Sequence, residues 1–252
     1  MDIENSVVVI TGASQGLGQM MAVTLAQMGA QLALIDVNTA GLRQTQDQCH
    51  MLNSLARIYE ADVTNEFEVE QAFSNIIEDF EHIDILINNA GILDDGLLVN
   101  KNHNGISKMS LEQFQTVMDV NVAGTFLCGR EAAKWMIENE TKGVIINVSS
   151  AARAGNIGQT NYAASKAAVT TMAVGWAREL GQYGIRVAAI APGLIDTPMA
   201  AQINDDTIER MLAEVPLARI GDPTEIAHSV RFIIENDYFT GRVLEIDGGL
   251  RL

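Results

Sequence analysis

Short apolar, β-branched runs recur along the chain at fairly regular intervals: SVVVIT near Val7, QLALID near Leu34, RIYEAD near Ile58, DILINN near Leu86, GVIINVSS near Ile145, IRVAAIAP near Val187 and RVLEID near Leu244. Runs of this length, bounded by turn residues, read as strands buried on both faces. Segments between them, such as LGQMMAVTLAQMG and EFEVEQAFSNIIEDF, carry the 3.6-residue period of helices. The alternation predicts an α/β fold, a doubly wound parallel sheet of about seven strands covered by helices on both faces.

Glycines follow helices where a left-handed cap is needed, at Gly29, Gly181 and Gly184. In VNKNHNGISKMS, residues 99–110, the Asn104-Gly105 pair signals a hairpin turn. No Pro-rich, Ser-rich or repeated segment divides the chain, so one domain over residues 1–252 is expected.

Composition narrows the classes. A chain of 252 residues with 48% hydrophobic content can bury a large core. Its apolar runs fall far short of the roughly 20 residues of a membrane span, and the acidic start MDIENS does not resemble a signal peptide. A soluble, cytoplasmic protein is expected. With 16 basic and 32 acidic residues the net charge is −16, which repels nucleic acid and anionic membranes and leaves small molecules or copies of the chain as partners. Cys49 and Cys128 lack the spacing of a disulfide framework or a zinc site, so no metal is expected.

Candidate chemistry begins where the first strand meets TGASQGLGQM. Gly12, Gly16 and Gly18 allow a tight turn against a helix N-terminus, whose free N–H groups suit a pyrophosphate. The spacing G-x-x-x-G-x-G differs from the general dinucleotide fingerprint. Asp36 ends the second strand about 20 residues on, where an acid accepts hydrogen bonds from the adenosine ribose. It would repel a 2′-phosphate, and Gln15 and Val37 supply no cation nearby, so NAD(H) is favoured over NADP(H). Asp62 and Val63 follow the third strand, and Asn88, Asn89, Ala90 and Gly91 the fourth, at the sheet end where ligands bind. In YAASK, Tyr162 and Lys166 stand at i and i+4, on one helix face. An ammonium there should lower the phenol toward the working pH and make it a general acid or base.

Taken in order, TGASQGLG, Asp62, NNAG, Asn121 in VMDVNVAGTF, NVSS, YAASK and APGLIDT at 191–197 resemble the short-chain dehydrogenase/reductase family, over essentially the whole chain. The resemblance implies a seven-stranded Rossmann-type domain, commonly a homotetramer. It implies that Tyr162 exchanges the proton, that Lys166 binds the nicotinamide ribose, that Asn121 holds a relay water, and that a serine binds the substrate carbonyl oxygen. Gly12, Ser14, Gln15, Gly16, Leu17 and Gly18 would line the pyrophosphate and adenosine ribose. Asp62 and Val63 would meet the adenine, Asn89 with Ala90 and Gly91 the adjacent ribose region, and Pro192, Gly193, Ile195 and Thr197 the nicotinamide.

Counting back the interval most common in the family, thirteen residues from Tyr162, selects Ser149, whereas aligning the strand GVIINVSS with the family selects Ser150. Ser150 is preferred, because loops absorb deletions more readily than strands absorb a slip. Within the family the chain most resembles bacterial 3-oxoacyl-acyl-carrier-protein reductases of fatty acid synthesis. Lys134 and Arg178 match the positions at which those enzymes meet their acidic carrier, while Asp36 and the insertion around residues 102–107 depart from their pattern. A dehydrogenase of another secondary alcohol, or a nucleotide-binding protein without turnover, are the other readings.

Overall fold

The structure, a computed structural model, describes residues 1–103, 105–202 and 205–251. In chain order the elements are β1 (Val7–Thr11), α1 (Gly16–Gln27), β2 (Gln31–Asp36), α2 (Thr39–Met51), β3 (Ala56–Glu60), α3 (Glu66–Phe80), β4 (Ile85–Asn88), β5 (Val99–Asn102), β6 (Gly105–Lys108) and α4 (Leu111–Met118). They continue as α5 (Thr125–Glu138), β7 (Val144–Val148), α6 (Thr160–Leu180), β8 (Arg186–Pro192), α7 (Asp205–Ala213), α8 (Pro223–Glu235) and β9 (Val243–Ile246).

Seven strands form one parallel sheet in the order β3-β2-β1-β4-β7-β8-β9, the Rossmann-type doubly wound arrangement. All seven expected strands are present. Each central strand is buried along its length because its alternate side chains enter two different cores. Val8, Ile10, Leu34, Ile87 and Ile146 pack with Met21, Leu25 and Val230 of α1 and α8. Val7, Val9, Ile35, Leu86 and Ile145 pack with Phe73, Ile76 and Met136 of α3 and α5. The chain winds outward from β1 through β2 to β3, then returns to β4 on the other side of β1. That reversal opens a crevice at the carboxyl ends of β1 and β4.

Local chemistry fixes the boundaries. Asn65 caps α3, accepting hydrogen bonds from the Phe67 and Glu68 N–H groups, and Ser110 caps α4. Asp222 and Glu225 form a capping box on α8 with Pro223 just inside it. Gly29 and Gly184 adopt left-handed φ values of 83° and 76°, as expected of caps. Gly181 does not: at φ −57° it continues as a 3₁₀ turn, so the reversal falls three residues later. The hairpin predicted around Gly105 is an exposed antiparallel ribbon of β5 and β6, with Asn104 outside the described residues. Cys49 and Cys128 are free and buried in α2 and α5.

Between α4 and α5 the helix does not break but widens. Residues Asp119–Gly124 form a π turn, which the apolar periodicity gave no sign of.

Candidate active site

A cavity of about 590 Å³ occupies the crevice. Its walls come from the ends of five strands: Gly12 to Leu17 after β1, Asp36 and Val37 at β2, Asn89 to Leu93 after β4, Val148 to Ala152 at β7, and Pro192 to Thr197 at β8. Asp62, Val63, Tyr162 and Lys166 complete it, so the predicted residues converge on one space. Gly18 and Asn121 stand just behind that wall.

The glycine turn is held from two sides. Gly12 has φ +65°, and a methyl there would lie 2.8 Å from the Ala90 Cα. At Gly18 a methyl would fall 2.1 Å from the Gly12 carbonyl oxygen, so only glycine lets α1 approach the turn. The Asn89 Nδ2 donates to the Thr11 and Gly12 carbonyls at 3.1 and 3.0 Å, tying the end of β4 to the same turn. Thr11, absent from the sequence reading, accepts from the Asn89 and Ala90 N–H groups through its hydroxyl, each at 3.0 Å. Asp36 reaches across from β2 and accepts from the Ser14 N–H at 3.1 Å and the Asn38 N–H at 2.9 Å. Lys166 is the one cation among the described lining residues, and it stands far from Asp36 in the site's order of strands.

At the other end, successive side chains on the β7 exit point apart, as period-two backbone requires. Ser149 is 3% exposed; its Oγ donates to the Lys166 carbonyl at 2.8 Å and pairs with the Thr170 hydroxyl at 2.8 Å. Ser150 faces the cavity, accepts from the Ala152 N–H at 3.1 Å and hydrogen-bonds Tyr162. Ser150 thereby caps a 3₁₀ turn, Ala151–Ala154, which Arg153 anchors through an ion pair with Glu245 on β9.

Tyr162 and Lys166 lie one turn apart on α6, with Nζ 5.6 Å from the phenol ring centroid. Lys166 is 5% exposed and donates to the Val148 carbonyl at 2.9 Å. Burial pushes its pKa down to about 8. The expected lowering of the phenol is not what the protein alone provides. Burial pushes Tyr162 up to about 12, the Ser150 hydrogen bond pulls it down, and the Asp95 carboxylate adds to the rise. The physical reason is that the ammonium is directed at a backbone carbonyl while the phenol is desolvated.

Asn121 is fully buried in the π turn. Its Oδ1 accepts from the Ile92 N–H at 2.8 Å, and its Nδ2 donates to the Ile92 carbonyl at 3.1 Å and to Ser165 Oγ at 2.9 Å. A methyl on Gly91 would lie 3.1 Å from Asn121 Oδ1 and 3.3 Å from Lys166 Nζ, so both polar groups flank the same glycine. Ser165 and Asn161 were missed in the sequence. Ser165 donates to the Tyr162 carbonyl at 2.7 Å, and Asn161 donates to the Asp94 carbonyl at 2.8 Å while accepting from the Tyr162 N–H at 2.9 Å. Their position inside α6 carries no signal that distinguishes them from ordinary helix residues.

A family model described as "Enoyl-(Acyl carrier protein) reductase" matches residues 12–251. A 3-oxoacyl-[acyl-carrier-protein] reductase of Thermotoga maritima is 38% identical over 253 residues, covering 99% of each chain. The chain belongs to the short-chain dehydrogenase/reductase family. Other members include a (2S)-[(R)-hydroxy(phenyl)methyl]succinyl-CoA dehydrogenase subunit of Thauera aromatica, 35% identical over 254 residues, covering 100% of this chain and 99% of its own. The solved structure of levodione reductase superposes with a TM-score of 0.88 at 33% identity, covering 98% of this chain and 97% of that one. The protein is therefore an oxidoreductase of this family with a nicotinamide-dinucleotide fold.

The site fits such a cofactor. Unlike α3, α4 and α8, helix α1 has no side chain capping its N-terminus and no acid in its first turn. Its free N–H groups, with those of the glycine turn, are the donors a pyrophosphate needs. No helix among the described residues is long and apolar enough to cross a membrane, and no group of metal-ligating side chains occurs among them.

Proposed function

We propose that the protein reduces the 3-oxo group of an acyl thioester to the 3-hydroxy form, using NADH. The observation that carries this reading is the Ser150–Tyr162 hydrogen bond at the cavity wall, with Lys166 behind it. Two hydroxyl donors meeting at one point suit the single oxygen of a ketone.

The cofactor, when bound, supplies the hydride that adds to the carbonyl carbon. Ser150 donates to the substrate oxygen and stabilises the charge that grows there. Tyr162 delivers the proton to that oxygen, and Lys166 binds the nicotinamide ribose close to the phenol. Asn121 and Lys166, on either side of Gly91, hold the relay water that returns a proton to Tyr162. Gly12, Ser14, Gln15, Gly16, Leu17 and Gly18 cradle the pyrophosphate and adenosine ribose, Asp62 and Val63 meet the adenine, and Asn89, Ala90 and Gly91 border the ribose. Pro192, Gly193, Ile195 and Thr197 hold the nicotinamide. Asp36 accepts from the adenosine ribose hydroxyls, and a 2′-phosphate would meet its carboxylate with no lining cation beside it.

The names of the sequence relatives support a thioester substrate, on a carrier protein in one case and on coenzyme A in another. Lys134, expected to face a carrier, lies 3.6 Å from Glu131 and 4.6 Å from the Trp135 ring, so its charge is already matched. Coenzyme A thioesters therefore rank first, and Arg178, exposed at the end of α6, is the cation that remains for a carrier. A homotetramer in the cytoplasm completes the proposal. Phe126 and Ile137, exposed on α5, offer apolar contact area for assembly, and two free thiols suit a reducing compartment.

The test is reduction of acetoacetyl-coenzyme A and of its carrier-bound analogue, each with NADH and NADPH, beside crotonyl-coenzyme A. Turnover of the 3-oxo thioesters with NADH is expected. A clear NADPH advantage would remove the Asp36 argument, and reduction of crotonyl-coenzyme A alone would favour the enoyl chemistry named in the family description. The structural likeness to levodione reductase favours a second reading, a dehydrogenase of another secondary alcohol, which turnover of simple ketones alone would establish.

A further inference from the structure

The ribbon formed by β5 and β6 is not needed to build the sheet or the cavity. Its register pairs Val99 with Lys108, Asn100 with Ser107, Lys101 with Ile106 and Asn102 with Gly105. Cross-strand partners share a face, and so do residues two apart along a strand. One face of the ribbon therefore presents Val99, Lys101, Ile106 and Lys108 together, and the other presents amides and a hydroxyl. Every described residue of both strands is exposed, Val99 at 59% and Ile106 at 75%. Lys101 and Lys108 form no ion pair among the described residues. Residues 96–111 contain Lys101, His103 and Lys108 and no carboxylate, in a chain whose net charge is −16.

The ribbon grows out of the segment that follows β4 at the substrate end of the site. The segment leading into it, Ile92 and Leu93, lines the cavity, and Gly96 is held to the loop before Tyr162 by a 2.7 Å hydrogen bond to the Gly158 carbonyl. At its far end the Met109 N–H donates to the Leu98 carbonyl at 3.1 Å, and Ser110 starts α4, which leads into the π turn of Asn121. The ribbon thus grows from the cavity wall at one end and runs into α4 at the other.

We infer that the Val99, Lys101, Ile106 and Lys108 face binds the phosphorylated nucleotide end of coenzyme A while the acyl thioester enters the cavity. Two ammonium groups match the phosphates, and the two apolar side chains offer a surface for the adenine ring. Charge chooses this occupant over an acidic protein. A macromolecule would approach the whole chain against a net charge of −16, whereas a small ligand within a Debye length of about 8 Å feels chiefly the local lysines.

The inference rests on the thioester reading, and two measurements separate them. Binding of free coenzyme A and of pantetheine is measured by calorimetry on the wild-type protein, on Lys101→Glu/Lys108→Glu, and on Asn100→Ala, whose side chain lies on the opposite face. The wild type is expected to bind coenzyme A more tightly than pantetheine by about tenfold, and the double variant to lose that difference. The ratio of kcat/KM for acetoacetyl-coenzyme A over acetoacetyl-N-acetylcysteamine is expected to fall about tenfold in the double variant and to stay put in Asn100→Ala. Equal wild-type affinity for coenzyme A and pantetheine, or a preference that survives charge reversal, overturns the inference whatever the turnover. So does a double variant that keeps its acetoacetyl-coenzyme A ratio but loses kcat/KM on the carrier-bound analogue assayed beside it, which would assign the face to a protein. Absence of thioester reduction with the coenzyme A preference intact defeats the proposed reaction instead.

Discussion

Lys166 carries the largest conflict between stability and function at a single residue. Below pH 8 the folded protein holds a buried ammonium that the unfolded chain keeps in water, so folding carries the full cost of desolvating it. From about pH 8 to its ordinary 10.5 the unfolded chain alone keeps that proton, and stability rises with pH. Above pH 10 the raised phenol of Tyr162 works in the opposite sense, because the folded state then holds the extra proton. Lys166→Met is expected to stabilise the protein at pH 7 by on the order of 2–3 kcal/mol while abolishing turnover. Urea midpoints of the two proteins, compared from pH 7 to 10, should converge as the pH rises; a constant gap would show that the ammonium is not the cause.

The two serines make a cleaner pair. Ser150→Ala should lower kcat roughly a hundredfold, since it removes the donor at the cavity wall, with a stability loss of about 1 kcal/mol from the lost cap on the 3₁₀ turn. Ser149→Ala should also cost about 1 kcal/mol of stability but leave kcat within a few-fold, since that hydroxyl serves the Lys166 carbonyl and Thr170. Steady-state kinetics distinguish them, and the reverse pattern would return the role to Ser149. The sequence could frame this question because strand periodicity turns adjacent side chains to opposite faces. It could not reveal that Ser150 also caps a turn, nor that Ser165 and Asn161 brace Tyr162, because those bonds join residues whose types are ordinary in helices.

At the scale of elements, the 3₁₀ turn behind Ser150 and the π turn that buries Asn121 hold in place the groups proposed to react. Arg153 fixes the first: its guanidinium pairs with Glu245 on β9, and its Nη1 donates to the Ser150 carbonyl at 3.4 Å. Arg153→Ala is expected to lower kcat about tenfold with a small change in KM, Arg153→Lys to restore most of it, and Glu245→Gln to repeat the loss. Were KM to change and kcat hold, the pair would serve binding rather than the placement of Ser150. The strands and the hairpin were legible because short, continuous β-branched apolar runs and an Asn-Gly turn leave marks in single residues. The π turn left none: α4 and α5 share one helical pattern across it, and one widened turn changes register without changing composition. Gly181 shows the same limit, since glycine permits a left-handed cap without requiring one.

At the scale of the whole molecule, the cavity joins two halves of the sheet. Asp36 and the glycine turn belong to the half wound outward from β1, and Ser150, Tyr162 and Pro192 to the half wound from β4. A dinucleotide lying across that crevice would bind the folded state and have no equivalent site on the unfolded chain. At a hundred times its dissociation constant it would stabilise the fold by about 2.7 kcal/mol, which for a chain of this size raises Tm by roughly 5–10 °C. NADH is expected to give that shift in a thermal melt, and NADPH at the same concentration a much smaller one, because its 2′-phosphate meets the Asp36 carboxylate. Asp36→Ser should narrow the difference between the two by weakening the repulsion while keeping a ribose hydrogen bond. Equal shifts from both cofactors in the wild type would mean that Asp36 turns away when the ribose arrives, and its hydrogen bonds to Ser14 and Asn38 argue that it is held where it stands.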